Sequence, residues 1–318
     1  MAEGADRPSV VALAGGVGGA KLAHGLQAHL GERLTVVVNT GDDTERHGLL
    51  VMPDHDTVMY TLAGLADPVQ GWGIAGETFA AMEMLERYGE ETWFRLGDRD
   101  LGTHIVRTRR LAGGERLTGV CLDLQESLGV RARILPMTDD AVRTEVRTDD
   151  GWLDFQEYFV RRHQEPEVRA VRFRGADEAT ATDEVRDAIG SAAVVVVAPS
   201  NPIVSIGPIL AVPGVRQALA TASERGARIV AVSGIVGGKA LKGPADRMLT
   251  SLGHESSALG VARLYTDWID TFVLDQVDAA LQSQIEALGL KVLVTDTIMS
   301  DDAGRARLAG EILSAVAA

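Results

Sequence analysis

Ser9-Val10-Val11-Ala12-Leu13-Ala14-Gly15-Gly16-Val17-Gly18-Gly19 is the stretch on which the fold of this chain turns. Its first part is continuously apolar, the pattern of a strand buried on both faces. It stops at four glycines in five positions. Ala20–Leu30 then carries apolar residues at helical spacing, and Gly31 supplies a C-terminal stop. Leu34–Val38 is a second, β-branched strand that ends in Asn39-Thr40-Gly41-Asp42-Asp43. Strand, glycine turn, helix, strand is the grammar of a βαβ unit.

The second half repeats it. Ala192–Ala198 reads as a strand, Gly214–Arg225 as a helix stopped by Gly226, and Arg228–Val232 as another strand. Thr271–Leu274 and Lys291–Thr295 are two more, with a helix expected over Ala279–Leu288 and a last one over Arg305–Val316. The middle differs. Glu77–Tyr88 and Leu117–Leu128 predict helices, while Val142–Thr148 and Glu167–Arg174 alternate apolar and charged residues as half-exposed strands do. Asp149-Asp150-Gly151 is a turn, followed by an expected helix over Trp152–Arg162. The predicted class is α/β: a Rossmann-like three-layer core with a mainly parallel sheet, built from residues 1–75 and 190–318. Residues 76–189 are read as an inserted α+β subdomain.

Composition removes several alternatives. Apolar residues make up 46% and charged residues 24% of 318, which excludes disordered and fibrous classes. The net charge of −14 gives little attraction to phosphate polymers, so nucleic acid is not an expected partner. One cysteine, Cys121, cannot form an intramolecular disulfide, which points to a reducing cytoplasm and a core role for that residue. The start, MAEGADRPSVVALAGG, lacks a basic segment followed by a long apolar one, and no stretch approaches ~18 uncharged apolar residues. The expectation is a soluble, cytoplasmic protein without membrane contact.

Four clusters carry chemistry. Gly15, Gly16, Gly18 and Gly19 let backbone N–H groups approach an anion at a helix start. They match neither the dinucleotide fingerprint nor the P-loop. Asp42, Asp43, Asp54 and Asp56 lie just past the second strand, where hard oxygen ligands suit Mg²⁺ shared with substrate phosphates; helix capping by Asp42 and Asp54 is the plainer alternative. Trp93-Phe94-Arg95-Leu96-Gly97-Asp98-Arg99-Asp100 joins two aromatics to an arginine, or is a charged turn. Finally, Ser200 and Asn201 follow the third core strand, and Gly238, Lys239 and Lys242 form a glycine loop with two point charges suited to a diphosphate. No Cys-x-x-Cys, His-Glu-x-x-His or Gly-x-Ser-x-Gly pattern is present.

Six blocks in order, AGGVGGAKLAHGL, VVVNTGDD, PDHDTVMYTLAGL, WFRLGDRD, APSNPIVSIGPIL and SGIVGGKALKGPADRM, together resemble the 2-phospho-L-lactate and phosphoenolpyruvyl transferases of coenzyme F-420 biosynthesis. The resemblance spans about residues 9–300. It implies metal-dependent transfer of a phospho-three-carbon acid from a guanosine diphosphate-linked donor to the ribityl hydroxyl of FO, a deazaflavin, with loss of GMP. It also implies a homodimer, and it matches Asp56 and Arg95 to positions that contact FO. Set beside the residues, this predicts metal on Asp42, Asp43, Asp54 or Asp56, with Lys239 and Lys242 stabilising departing GMP. It further predicts catalytic work for Asp54, Asp56 and Lys239, with Asp56 nearest the attacking hydroxyl. A related family of nucleotide-sugar-binding gluconeogenesis regulators shares the glycine-loop core and is the alternative; the PDHDT and WFRLGDRD blocks argue for the transferases.

Overall fold

Seven parallel strands make the central sheet of the computed structural model, which describes residues 9–317. In chain order they are β1 (Val10–Ala14), β2 (Leu34–Val38), β3 (Arg133–Pro136), β4 (Val194–Val197), β5 (Arg228–Val232), β6 (Thr271–Asp275) and β7 (Lys291–Thr295). Their spatial order is β7-β6-β5-β4-β1-β2-β3. The chain builds outward from β1 through β2 to β3, then crosses back to place β4 against the other side of β1. Between β1 and β4 the loops diverge, and a crevice opens at the carboxyl ends of the strands.

Strand alternation splits the core in two. Val10, Ala12, Ala14, Val36 and Val196 face α1 (Gly16–Leu30), α2 (Pro53–Leu62) and the C-terminal helix Asp302–Ala317. Val11, Leu13, Val37, Val195 and Val197 face the opposite layer, where helices Asp183–Gly190, Val215–Glu224 and Ala258–Tyr265 pack. Both faces are buried, which is why these strands read as unbroken apolar runs. The three-layer α/β architecture matches the expectation.

Three local readings are corrected. Residues 76–189, expected to stand apart from the sheet, return to it once: β3 pairs with β2 from Thr35↔Arg133 to Val38↔Pro136. Its four residues are too short for a periodic signal. Trp152–Arg162 is not a continuous helix. Gly151, at φ +109°, closes a two-residue turn, and Gly151–Asp154 runs back along Arg143–Thr148 as a strand, before a short π-helix at Glu157–Arg161. Ala170–Arg174 completes this three-stranded antiparallel sheet. Ala279–Leu288 is a 3₁₀ turn, Gln276–Leu281, leading into Gln282–Glu286.

The middle segment also supplies α3 (Ala80–Arg87), α4 (Asp100–Ala112) and α5 (Leu117–Ser127), with Cys121 buried in the last as expected. The acids of the WFRLGDRD block are partly structural. Asp98 accepts from the backbone N–H of Ala80 and Ala81, both at 3.0 Å, at the start of α3. Glu77 does the same for Arg99 and Asp100 at the start of α4. Among the described residues no single helix is long and apolar enough to cross a membrane. Residues 1–8, the first half of the stretch read for a targeting signal, lie outside the described residues.

Candidate active site at the strand-order switch

A cleft of about 520 Å³ occupies the crevice between β1 and β4. Its floor is the start of α1. Gly16, at φ +62°, turns the chain from strand to helix, a conformation that disfavours other residues. Gly18 has a different reason: a Cβ there would sit 2.4 Å from the Pro199 carbonyl oxygen, so the helix approaches the loop after β4 only with no side chain in between. Ser200 ties the two loops together, donating to the Gly15 carbonyl at 2.8 Å and accepting from the Gly15 N–H at 3.1 Å. The backbone of the first helical turn, at the positive end of the α1 dipole, lines the cleft. Lys242 stands at the rim, its Nζ donating to the Gln70 carbonyl at 3.0 Å. Nearby Lys21 is held below its usual pKa by burial, then by Arg305 and Lys242, which marks a local concentration of positive charge in an acidic chain.

Asp42 and Asp54 lie in the same end of the cleft. Asn39, at the end of β2 and fully buried, donates to Asp54 Oδ2 at 2.9 Å and to the Val204 carbonyl at 3.2 Å, so it joins three loops. Burial pushes the Asp54 carboxyl up to about 6 against the pull of Asn39 and the Gly16 N–H. Burial, and then the Asp54 charge, raises Asp42 well above the carboxylate range. Asp42 Oδ1 is buried with no hydrogen-bond partner. Two buried carboxyls that oppose each other's ionisation, one of them with an unsatisfied oxygen, fit a Mg²⁺ ion shared with substrate phosphates.

Two residues further along α2 the environment changes. Asp56 and Thr57, and Tyr60 one turn on, line the cleft. Arg107 of α4, 0% exposed, grips both carboxylate oxygens of Asp56, with Nη1 3.0 Å from Oδ2 and Nη2 closer still to Oδ1. Burial alone would raise the Asp56 pKa; Arg107, joined by His55 and His104, outweighs it and holds the carboxyl far below the usual range. Tyr60 donates from its hydroxyl to Asp100 Oδ1 at 2.6 Å. His104 stands between the two acids, Nδ1 3.7 Å from Asp56 and Nε2 3.2 Å from Asp100. Aromatic rings complete this half: Trp93, Phe94, Phe155 and Phe159 all line the cleft. Arg46 stacks over Trp93 at 4.3 Å, and Arg95 lies over Phe79 at 3.9 Å with its side chain on the cleft wall.

Of the expected residues, the structure gathers Gly15, Gly16, Gly18, Asp42, Asp54, Asp56, Arg95, Ser200, Asn201 and Lys242 around one cleft. Four are not among the residues that line it. Gly19 is packed against Ser200 and Ala14. Asp43 points elsewhere, among charges that include Arg143 and Arg107. Gly238 and Lys239 belong to a hairpin, Ile235–Val236 with Lys239–Ala240, pinned by Asp278 and Ser256, and Lys239 is exposed. Asn201 spends its carbonyl on the Ile203 and Val204 N–H groups and turns its amide toward Met248 Sδ at 3.7 Å, so it orders the loop after β4. Tyr60, His104, Arg107 and Phe155 were missed. Asp100, His104 and Arg107 recur at i, i+4 and i+7, one face of a helix, a signal present in the sequence once α4 is recognised. A wider, shallow depression of about 790 Å³ beside β7 has neither glycine loop nor unpaired acids, and its Arg307 and Glu311 neutralise each other.

A family model described as 2-phospho-L-lactate transferase CofD matches residues 10–309. The chain is 45% identical over 311 residues to a phosphoenolpyruvate transferase of Streptomyces griseus, covering 96% of this chain and 97% of that one. It is 38% identical over 307 residues to a 2-phospho-L-lactate transferase of Methanosarcina mazei, covering 96% and 100%. A crystal structure of a UPF0052 family member from Bacillus halodurans superposes with a TM-score of 0.64 over 98% of this chain and 100% of that one, at 16% identity, a likeness of fold. With a family match across nearly its whole length, the chain belongs to the 2-phospho-L-lactate transferase family CofD and is a transferase.

Proposed function

We propose that this enzyme moves a phosphoenolpyruvyl or 2-phospho-L-lactyl group from its guanosine diphosphate-linked donor to the terminal ribityl hydroxyl of FO, releasing GMP and forming the phosphodiester of (dehydro)coenzyme F-420-0. The observation that carries the reading is one cleft with two unlike halves. Helix N–H groups, Lys242 and an acid pair suit a diphosphate at one end, while aromatic rings and fixed hydrogen-bonding groups suit a flat heterocycle at the other.

The backbone N–H groups of Val17 and Gly18 would orient the donor diphosphate, with Lys242 as a point charge opposite. Asp42 and Asp54 are the residues that would hold Mg²⁺, which offsets phosphate charge as it shifts to the leaving GMP. Transfer at phosphorus goes largely through positioning and charge neutralisation, so a strong base is not required. Asp56 is ill suited to be that base, because Arg107 occupies both its oxygens. It suits a fixed acceptor for a substrate hydroxyl or N–H, in line with the FO contact implied for Asp56 and Arg95. The segment 76–189 supplies most of the acceptor-side walls in this reading. A cytoplasmic homodimer is the expected working form.

The test is product mass spectrometry after incubation with FO, Mg²⁺ and each guanosine diphosphate-linked acid in turn. FO-dependent release of GMP with a matching phosphodiester is expected. No GMP with any donor, or no binding of the fluorescent deazaflavin, would sink the reading and leave a nucleotide-binding protein without transfer chemistry.

A further inference from the structure

We infer that Arg107 is a positioning residue that fills, in the acceptor half of the cleft, the place a cation would otherwise take. The inference rests on the acceptor reading just given. Asp56, Asp100 and His104 offer ligand atoms within 4.8 Å of one another, and all three are buried. Two carboxylates and an imidazole are a donor set for a divalent transition metal. In this chain the two carboxylates and His104 Nδ1 are already served, and His104 Nε2 is left without a hydrogen-bond partner. Arg107 Nη1 lies 3.0 Å from Asp56 Oδ2 and 3.4 Å from both His104 Nδ1 and the Leu50 carbonyl, while Nη2 binds Asp56 Oδ1. Guanidinium keeps its charge under all ordinary conditions and matches a carboxylate with two parallel bonds. The second acid, Asp100, is covered by the Tyr60 hydroxyl at 2.6 Å and faces His104 Nε2 at 3.2 Å.

The consequence is mechanical. Asp56 and Tyr60 come from α2, and Asp100, Thr103, His104 and Arg107 from α4. Two polar crossings, Asp56 to Arg107 and Tyr60 to Asp100 and Thr103, hold one helix against the other across two turns. Asp56, Tyr60, Asp100 and His104 all present atoms to the cleft. An acceptor therefore meets a wall whose rotamers are set before it arrives, which lowers the ordering cost of binding. A divalent ion at this point would have to expel a fully buried guanidinium or share the space with it.

The experiment pairs cobalt spectroscopy with kinetics. Co²⁺ alone is titrated into wild type, His104→Gln, Arg107→Met, Arg107→Lys and the double variant Arg107→Met/His104→Gln. Wild type is expected to show no visible bands that depend on His104. Arg107→Met is expected to gain them at one Co²⁺ per chain and to lose them again in the double variant. In turnover, Arg107→Met should raise the KM for FO at least about tenfold with donor KM and kcat within about twofold, and Arg107→Lys should recover most of that loss. His104-dependent bands in wild type, or an unchanged FO KM in Arg107→Met, overturns the inference. If circular dichroism shows Arg107→Met unfolded, Arg107→Lys decides: absent bands and a near-normal FO KM support the role, and bands there refute it. The cobalt arm needs no turnover, so failure of FO as substrate leaves it readable.

Discussion

Asp54 and Asp56 sit two residues apart in the first turn of α2, both buried, and have opposite fates. At the phosphate end, Asp54 shares its surroundings with Asp42 and has hydrogen-bond donors but no fixed cation, so burial lifts its pKa to about 6. At the acceptor end, Asp56 is neutralised by Arg107 and driven the other way. The same residue type serves as a charge held in waiting on one face and as a finished structural contact on the next. The difference lies in what each helix face meets: strand-end loops of the sheet for Asp54, α4 for Asp56. An active-site cleft can thus keep a region that is completed by its ligand beside one completed by the protein itself.

Substitutions at the two aspartates should separate these roles most sharply. Asp54→Asn is expected to cut turnover by about 10³-fold or more, several kcal/mol of transition-state stabilisation, and to abolish its Mg²⁺ dependence. Its melting temperature should hold or rise, because a buried carboxylate opposed by a neighbour is removed. Turnover and thermal melts on the same preparation check both parts, and a large loss of stability would break the contrast. Arg107→Met should do the reverse to the fold, costing about 3 kcal/mol by leaving the Asp56 charge buried without its guanidinium partner. The Asp56→Asn/Arg107→Met pair should cost less than the sum of the single changes in a urea-denaturation cycle.

Smaller effects sharpen the same boundary. Lys242→Ala should raise the donor KM about tenfold, whereas Lys239→Ala, outside the cleft, should leave it within about twofold; equal effects would mean that the hairpin folds inward on binding. At the outer surface, Glu184 is held at about 2 by Arg116 and by backbone hydrogen bonds. A depressed carboxylate stabilises the fold above its unfolded pKa and loses that contribution as pH falls toward the folded value. Glu184→Gln should therefore cost under about 1 kcal/mol near neutrality, discounted for exposure, and nothing near pH 2.

Much of the fold was legible because buried parallel strands announce themselves. The βαβ start, Leu34–Val38, Arg228–Val232 and Lys291–Thr295 appear where the apolar runs predicted them. Half-exposed elements were harder. β3 is four residues long, and Gly151–Asp154 pairs across a turn whose partner strand, not its own pattern, decides its state. α4 hid behind the charged WFRLGDRD block because its inward face is polar, with Asp100, His104 and Arg107 where a core helix would carry leucines. The glycine loop was legible as a turn, but Gly18 and Gly19 are demanded as much by the packing of the Pro199–Ser200 loop as by any ligand.

Local sequence determined the periodicities, the glycine turn after β1 and the presence of acids beyond β2, since each depends on residues close together in the chain. Which acids stay unpaired depended on contacts across 51 and 15 positions, Arg107 to Asp56 and Asn39 to Asp54. Charge compensation in a buried site acts through space over a few ångströms. Only the packing of α4 on α2, and of both loops on one sheet edge, could decide which aspartate meets a guanidinium and which is left for a ligand.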